Sequence, residues 1–343
     1  MRSRPWGCRK TVLADTITMM IRTLKSTRNR LSLPLVTVLI GFISLVYMGC
    51  SYRETVDKTT ETVTKTTRKI RRNIRFSDDD LQRMATVIGF ENKSLYRGQD
   101  FTQLFRKGIP EYLNNECDDV SVPDPGSDQN IEGFEKLPLL ENGEVDNFAL
   151  ALIGRQLGLN AIITGSLDDI GILDELRGMI WKDTHHLIQI LVSIEVFDTE
   201  SGSKILDESF SRKVEIEELD YELMRSEGKM ILPDLNETLT DLLGEIGETI
   251  CWAIEDQAWS GFVIAVEDDT LTLSAGSDAG LAPGDAFDVY DTSRVLEGLS
   301  GQRFFVRGQK IGEIKITEVE ADKARAAIVT NRGIKPGSSV RVK

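Results

Sequence analysis

Four cysteines and two histidines carry most of the latent chemistry of this 343-residue chain. Cys50 follows Gly49 at the end of an apolar run, residues 35–48, with Arg22, Lys25, Arg28 and Arg30 ahead of it. A basic stretch, a short apolar core and a small residue form the pattern of an export signal. The thiol at its end is then the candidate for covalent lipid attachment. The run is shorter than the ~20 residues a helix needs to cross hydrocarbon, which favours cleavage before Cys50. Extending it back to residue 31, across Pro34, gives the alternative of an uncleaved anchor. Cys117 and Cys251 remain once Cys8 and Cys50 are set aside. In an oxidising compartment they could join in a disulfide, the alternative being two separate buried thiols. Two cysteines alone cannot make a four-ligand structural zinc site.

His185 and His186 are the only histidines and sit beside Asp183. Neighbours on a strand point to opposite faces, so the pair is poorly placed to chelate one metal. No Gly-x-Ser-x-Gly elbow, phosphate loop or His-Glu-x-x-His occurs. The acidic clusters Asp78-Asp79-Asp80 and Glu267-Asp268-Asp269 lack the alternating spacing of a calcium loop and read as solvated turns. The expectation is therefore no enzyme, no catalytic residue, no metal, no small-molecule substrate and no cofactor beyond a lipid on Cys50. Of the 41 Lys and Arg and the 55 Asp and Glu, the first fifty residues hold eight and one, which leaves −21 on the remainder. Such a surface repels phosphate backbones, and nucleic acid is excluded as a partner.

The elements that would position these residues fall into four segments. Residues 1–49 form the signal peptide and 50–82 a flexible Thr-rich tether too poor in apolar residues to fold alone. Residues 83–258 alternate strand and helix signals, as a layered α/β domain does. They comprise a strand at 84–90, a helix with the stripe Phe101, Leu104, Phe105, Ile109, Tyr112 and Leu113, and a helix from Phe148 to a stop at Gly158. A strand at 160–167 broken by Gly165 comes next, then strict alternation of Ile188, Ile190, Val192, Ile194 and Val196. A tight turn at 198–202 and an antiparallel return at 204–214 precede a helix started by an Asp234/Glu237 capping box. Residues 259–343 hold short strand candidates at 261–266, 270–273, 285–290, 311–319, 324–329 and 338–342, the pattern of a small all-β barrel. Within it Gly280-Leu281-Ala282-Pro283-Gly284 is echoed by Gly333-Ile334-Lys335-Pro336-Gly337, each leading into a strand.

The residues before Cys50 resemble the signal of bacterial lipoproteins, which implies a lipid-anchored envelope protein. Because Ser51 replaces the Asp that commonly retains such proteins at the inner membrane, the resemblance implies the periplasmic face of the outer membrane, with inner-membrane anchoring as the alternative. The strand at 84–90, the helix to Cys117, the strand around 161–165 and the turn at 196–202 resemble the TolB amino-terminal-like α/β domain. That domain also occurs in curli secretion lipoproteins and in lipoproteins that activate penicillin-binding proteins. The SH3-like barrel, with 280–290 and 312–317, resembles the carboxy-terminal domain of flagellar assembly protein T, and the order of the two is similar to its middle and carboxy-terminal domains. The resemblance implies a non-catalytic component that assembles or scaffolds an envelope structure through protein contacts or self-assembly; a secretion component or a cell-wall synthase activator are the alternatives. A pore is disfavoured because the connection 170–183 is read as too short for a membrane hairpin. That connection carries Ile172, Leu173, Leu176, Met179, Ile180 and Trp181. Met179, Ile180 and Trp181 are the candidate partner contact, since apolar residues in a surface connection mark interaction sites.

Overall fold

The computed structural model describes residues 81–95, 101–123, 137–178, 182–227 and 235–343. The signal segment, Cys50 and the tether up to residue 80 lie outside them.

The first part is a layered α/β body. Its sheet contains β1 (Arg83–Val87), β2 (Glu91–Asn92), β3 (Val120–Ser121), β4 (Ala161–Arg177), β5 (Asp183–Asp198) and β6 (Lys204–Ile216). The strand order is β3-β1-β4-β5-β6, with β2 also paired to β4. β1 runs parallel to β3 and β4, whereas β4, β5 and β6 form an antiparallel meander. The helices are α1 (Thr102–Glu116), α2 (Asn147–Gln156), α3 (Glu218–Glu227) and α4 (Asn236–Glu255).

Alternation along β5 decides the layering. Ile188, Ile190, Val192, Ile194 and Val196 are buried on one face beneath Phe105, Ile109 and Leu113 of α1 and Leu239, Leu242, Ile246 and Ile250 of α4. β-Branched residues pack well on a pleated surface, and one such row per strand fixes which face turns inward. The opposite face is covered near the start of β4, where Ile162 and Phe197 pack on Leu150 of α2 and on Ile88 and Leu159, and Leu187 is also buried on it farther out. α1 and α4 approach closely because glycines face large side chains: a Cβ on Gly247 would lie 2.2 Å from the Tyr112 ring, and one on Gly108 2.3 Å from Leu243.

Three expectations are corrected here. β4 passes through Gly165 and continues to Arg177, so residues 170–177 are strand and not a connection. Gly165 is there for space: a Cβ would meet Phe90 Cε2 at 2.8 Å and the Ser193 carbonyl at 2.7 Å. α4 begins at Asn236 with Leu235 as N-cap and no side-chain cap bond, later than the start read at Asp234, which lies outside the described residues. α3 and the hairpin of β10 (Arg294–Glu297) and β11 (Arg303–Val306) have no counterpart in the sequence reading.

The second part is a closed barrel of β7 (Gly261–Glu267), β8 (Thr270–Leu273), β9 (Ala286–Tyr290), β12 (Lys310–Val319), β13 (Ala324–Asn331) and β14 (Ser339–Val342). Its core includes Trp259, Leu273, Phe287, Val289, Ile314 and Val340, and it also takes in Leu81 from the segment read as tether. The repeated Pro-Gly turns have one cause. Gly284 (φ +105°) and Gly337 (φ +87°) both adopt the left-handed region just before a strand, where a side chain would be strained.

The turn between β5 and β6 carries the junction with the barrel. Asp198 ties that turn by accepting from Ser201 N at 2.8 Å and Glu200 N at 3.1 Å. From α2, the buried Arg155 donates to Thr199 O at 3.0 Å and to Glu200 O, and stacks 3.6 Å over the Phe305 ring of β11. It also reaches Gly337 O of the barrel at 3.4 Å. Burial lowers its pKa to about 10, against the raising effect of Glu200 and Asp198. Glu200 in turn holds Arg341, whose Nε donates at 3.2 Å. Asn147 donates to Gly202 O at 2.8 Å and Arg303 O at 2.7 Å, while Phe148 stacks on Phe305 at 4.5 Å.

Candidate functional site

Beyond Leu167 the outer edge of β4 has no ladder partner among the described residues: β1 pairs only with 161–163 and β2 with 166–167. Residues 169–177 of β4, 183–191 of β5 and 211–216 of β6 therefore form a three-stranded arm. At about 3.3 Å per residue, β5 places its far end roughly 50 Å from the barrel junction.

The arm is re-faced at its base by a β-bulge. Leu167 pairs with Val192 and Asp169 with Leu191, so Asp168 is the extra residue. Its carboxylate is pinned by Ser166 Oγ at 2.6 Å and by Ser193 Oγ. Before the bulge the odd residues Ile163 and Leu167 face the helices; after it the even residues Ile170 and Ile172 do, opposite Ile190 and Ile188. Ile172 and Leu176 remain 41% and 66% exposed, the largest apolar side chains offered by the β4 edge.

The two faces of the arm differ. On the helix face the buried His186 stacks on Tyr221 of α3, ring centroids 3.5 Å apart. Its Nδ1 lies 2.7 Å from Asp174 and its Nε2 3.2 Å from Glu218, so it ties β4, β5 and α3 together. The other face carries an ion-pair lattice. Arg177 reaches Glu175 at 3.1 Å and Glu215 at 3.2 Å, His185 reaches Glu215 at 2.6 Å, and Lys213 pairs with Glu175. These hydrogen bonds hold the carboxyl pKa values of Glu175 and Glu215 below the usual range. His185 and His186 thus serve opposite faces.

The length argument against a membrane hairpin falls, since the strands on either side of the tip are long. The charged lattice now argues against lipid contact, because a lipid-facing strand surface is apolar. Met179, Ile180 and Trp181 lie outside the described residues.

At the arm's base, a groove of about 780 Å³ opens on the charged face, lined by Thr164, Ser166, Asp168, Ser193, Glu195 and Lys204 among others. Burial opposes the charge on Lys204, but its bonds to Glu195 at 2.5 Å and Asp207 at 3.0 Å raise its pKa overall. A serine nucleophile needs a positioned base, and the nearer histidine stands seven strand residues from Ser193, about 23 Å away. Cys117 and Cys251 are disulfide-bonded, Cα atoms 6.0 Å apart, joining the end of α1 to α4.

No protein-family model matches the chain, and no curated protein matches it. Solved structures similar to it include a hypothetical protein of Chlamydia trachomatis, at 11% identity over 50% of this chain and 98% of that one, TM-score 0.31. A lipoprotein of Neisseria meningitidis is 13% identical over 51% and 99%, TM-score 0.28. TolB of Acinetobacter baumannii is 11% identical over 75% and 63%, TM-score 0.24. The similar structures thus include a bacterial lipoprotein and a TolB, and overlaps of this quality fix neither family nor activity.

Proposed function

We propose that this chain is a non-catalytic, lipid-anchored scaffold of the bacterial envelope that assembles a larger structure by presenting its three-stranded arm to protein partners. Cys50 is the anchoring residue of this reading, at the outer membrane, and the order of an α/β domain followed by a small barrel resembles that of flagellar assembly protein T. One observation carries the proposal: the β4 edge at 169–177 has no ladder partner among the described residues, bears exposed Ile172 and Leu176, and stands far from the barrel. Unpaired strand edges are templates for other chains. Replacing Ile172 and Leu176 together with Ser removes exposed apolar surface and little core. Co-purification with its envelope assembly should fall at least tenfold while the thermal melt stays within about 2 °C, because surface changes are usually within ±0.5 kcal/mol. An unchanged assembly would refute the reading. Mass spectrometry of the mature amino terminus should find a diacylated or triacylated Cys50; an intact upstream segment would remove the anchor.

A further inference from the structure

The β4 edge is complementary to itself, and we infer that its occupant is a second copy of this chain, paired antiparallel across a two-fold axis through Leu173. This rests on the reading of the arm as a protein-contact surface and names the partner. An antiparallel pair centred on Leu173 sets Asp169 opposite Arg177 of the second copy, twice by symmetry, and Leu173 opposite Leu173. Asp169 is exposed and has no ion pair or hydrogen-bond partner among the described residues. Arg177, 46% exposed at its side chain, spends two contacts on Glu175 and Glu215 and keeps guanidinium donors free. Opposite charges directly across an antiparallel pair are favourable.

The same register closes the apolar row. Ile170 and Leu176 come opposite one another across the axis, and Ile172 of each copy becomes a diagonal neighbour of Ile172 and Leu176 of the other, within reach of long side chains. These residues lie on the helix face of both copies, so the axis is normal to the sheet and the two sheets continue into one with all helices on the same side. Gly171, in mid-edge, falls opposite Glu175, and a Cβ there would meet only Asp169 of its own chain, so the approaching backbone is unobstructed. A shift by one residue would set Leu173 against Asp174 and Asp169 against Gly178, losing both Asp169–Arg177 pairs. The closed two-fold contact, in which one surface serves both copies, is the commonest form of self-association.

The register can be read by cross-linking in the full chain, with Cys8 and Cys50 changed to Ser, in mild detergent. Directly opposed Cβ atoms lie about 4.5–5.5 Å apart, close to disulfide reach. Leu173→Cys alone should give an oxidised dimer. Asp169→Cys and Arg177→Cys should each fail alone and cross-link when the two variants are mixed. Asp169→Arg or Arg177→Asp should weaken dimerisation by about tenfold in sedimentation, each setting like charges opposite at two points. The double exchange should restore it. A chain that stays monomeric, or dimerises without the Leu173→Cys cross-link, overturns the self-pairing. If a monomeric chain still loses its envelope assembly on Ile172/Leu176→Ser, the scaffold reading stands and only the occupant is wrong; if neither effect appears, both fall.

Discussion

Arg155 sits 5% exposed with its guanidinium shared among carbonyl oxygens of Thr199, Glu200 and Gly337 and the face of Phe305. Truncating it strands buried acceptors and leaves Glu200 with less opposing charge. Arg155→Ala should therefore cost about 3 kcal/mol by denaturant unfolding, the scale of breaking a buried charged network. Arg155→Lys should recover little, since an ammonium can neither fork nor stack as a guanidinium does. A second residue-scale effect is pH-dependent. Lys310 at 2.7 Å and Lys343 at 2.6 Å hold Glu313 down to about 2, hydrogen bonding to Lys310 being the largest cause. A depressed folded-state carboxyl stabilises above its unfolded value of 4.5 and loses that stabilisation as pH falls towards 2. Glu313→Gln should lower the melting temperature slightly at pH 7, and wild type and variant should converge near pH 2. None of these partners was legible in the sequence, because Arg155 meets groups from residues 199, 200 and 337 that only the fold assembles.

At the scale of elements, local pattern was enough wherever one period held throughout. The alternation of β5, the helical stripe of α1 and the evenly spaced barrel strands were legible, including β8 at 270–273. The arm was not, since Asp168 breaks the period of two and leaves Ile170, Ile172, Leu173 and Leu176 without an alternating rhythm. α3 offers only Tyr221 and Met224 to the core among its acidic residues, and β10 is exposed along its length, so neither carried an apolar signature. The disulfide supplies an element-scale prediction. It joins α1 and α4 across a separation of 134 residues, and such long closures constrain the unfolded chain most. Cys117→Ser with Cys251→Ser should cost about 2–5 kcal/mol in reversible unfolding, and reducing agent should destabilise the wild type alone.

For the whole molecule, the junction makes the sheet and the barrel one mechanical body. Phe305 lies on Phe148 and Arg155, and its amide donates to Ser201 O at 2.8 Å, so a barrel hairpin clasps the α/β body from outside. Calorimetry should show one cooperative transition for both parts. Phe305→Ala takes the ring out of the clasp while Asn147 on Arg303 O and Glu200 on Arg341 remain, so it should lower the midpoint of that single transition; an unchanged midpoint would show that the ring adds nothing to the coupling. A rigid base holds the arm in a fixed direction relative to the barrel.

The bulge at Asp168 gives the arm something like a reading frame. Because side chains alternate with a period of two, one extra residue absorbed as a bulge moves the inward positions from odd to even numbers beyond it. Pairing resumes after the bulge, with Leu167 opposite Val192 and Asp169 opposite the next residue, Leu191, so deleting Asp168 would remove the bulge and leave Ile170, Ile172 and Leu176 on the helix face. The contact surface is thus kept in frame by its pairing with β5, and losing Asp168 would take away the extra twist at the arm's base without turning the arm over.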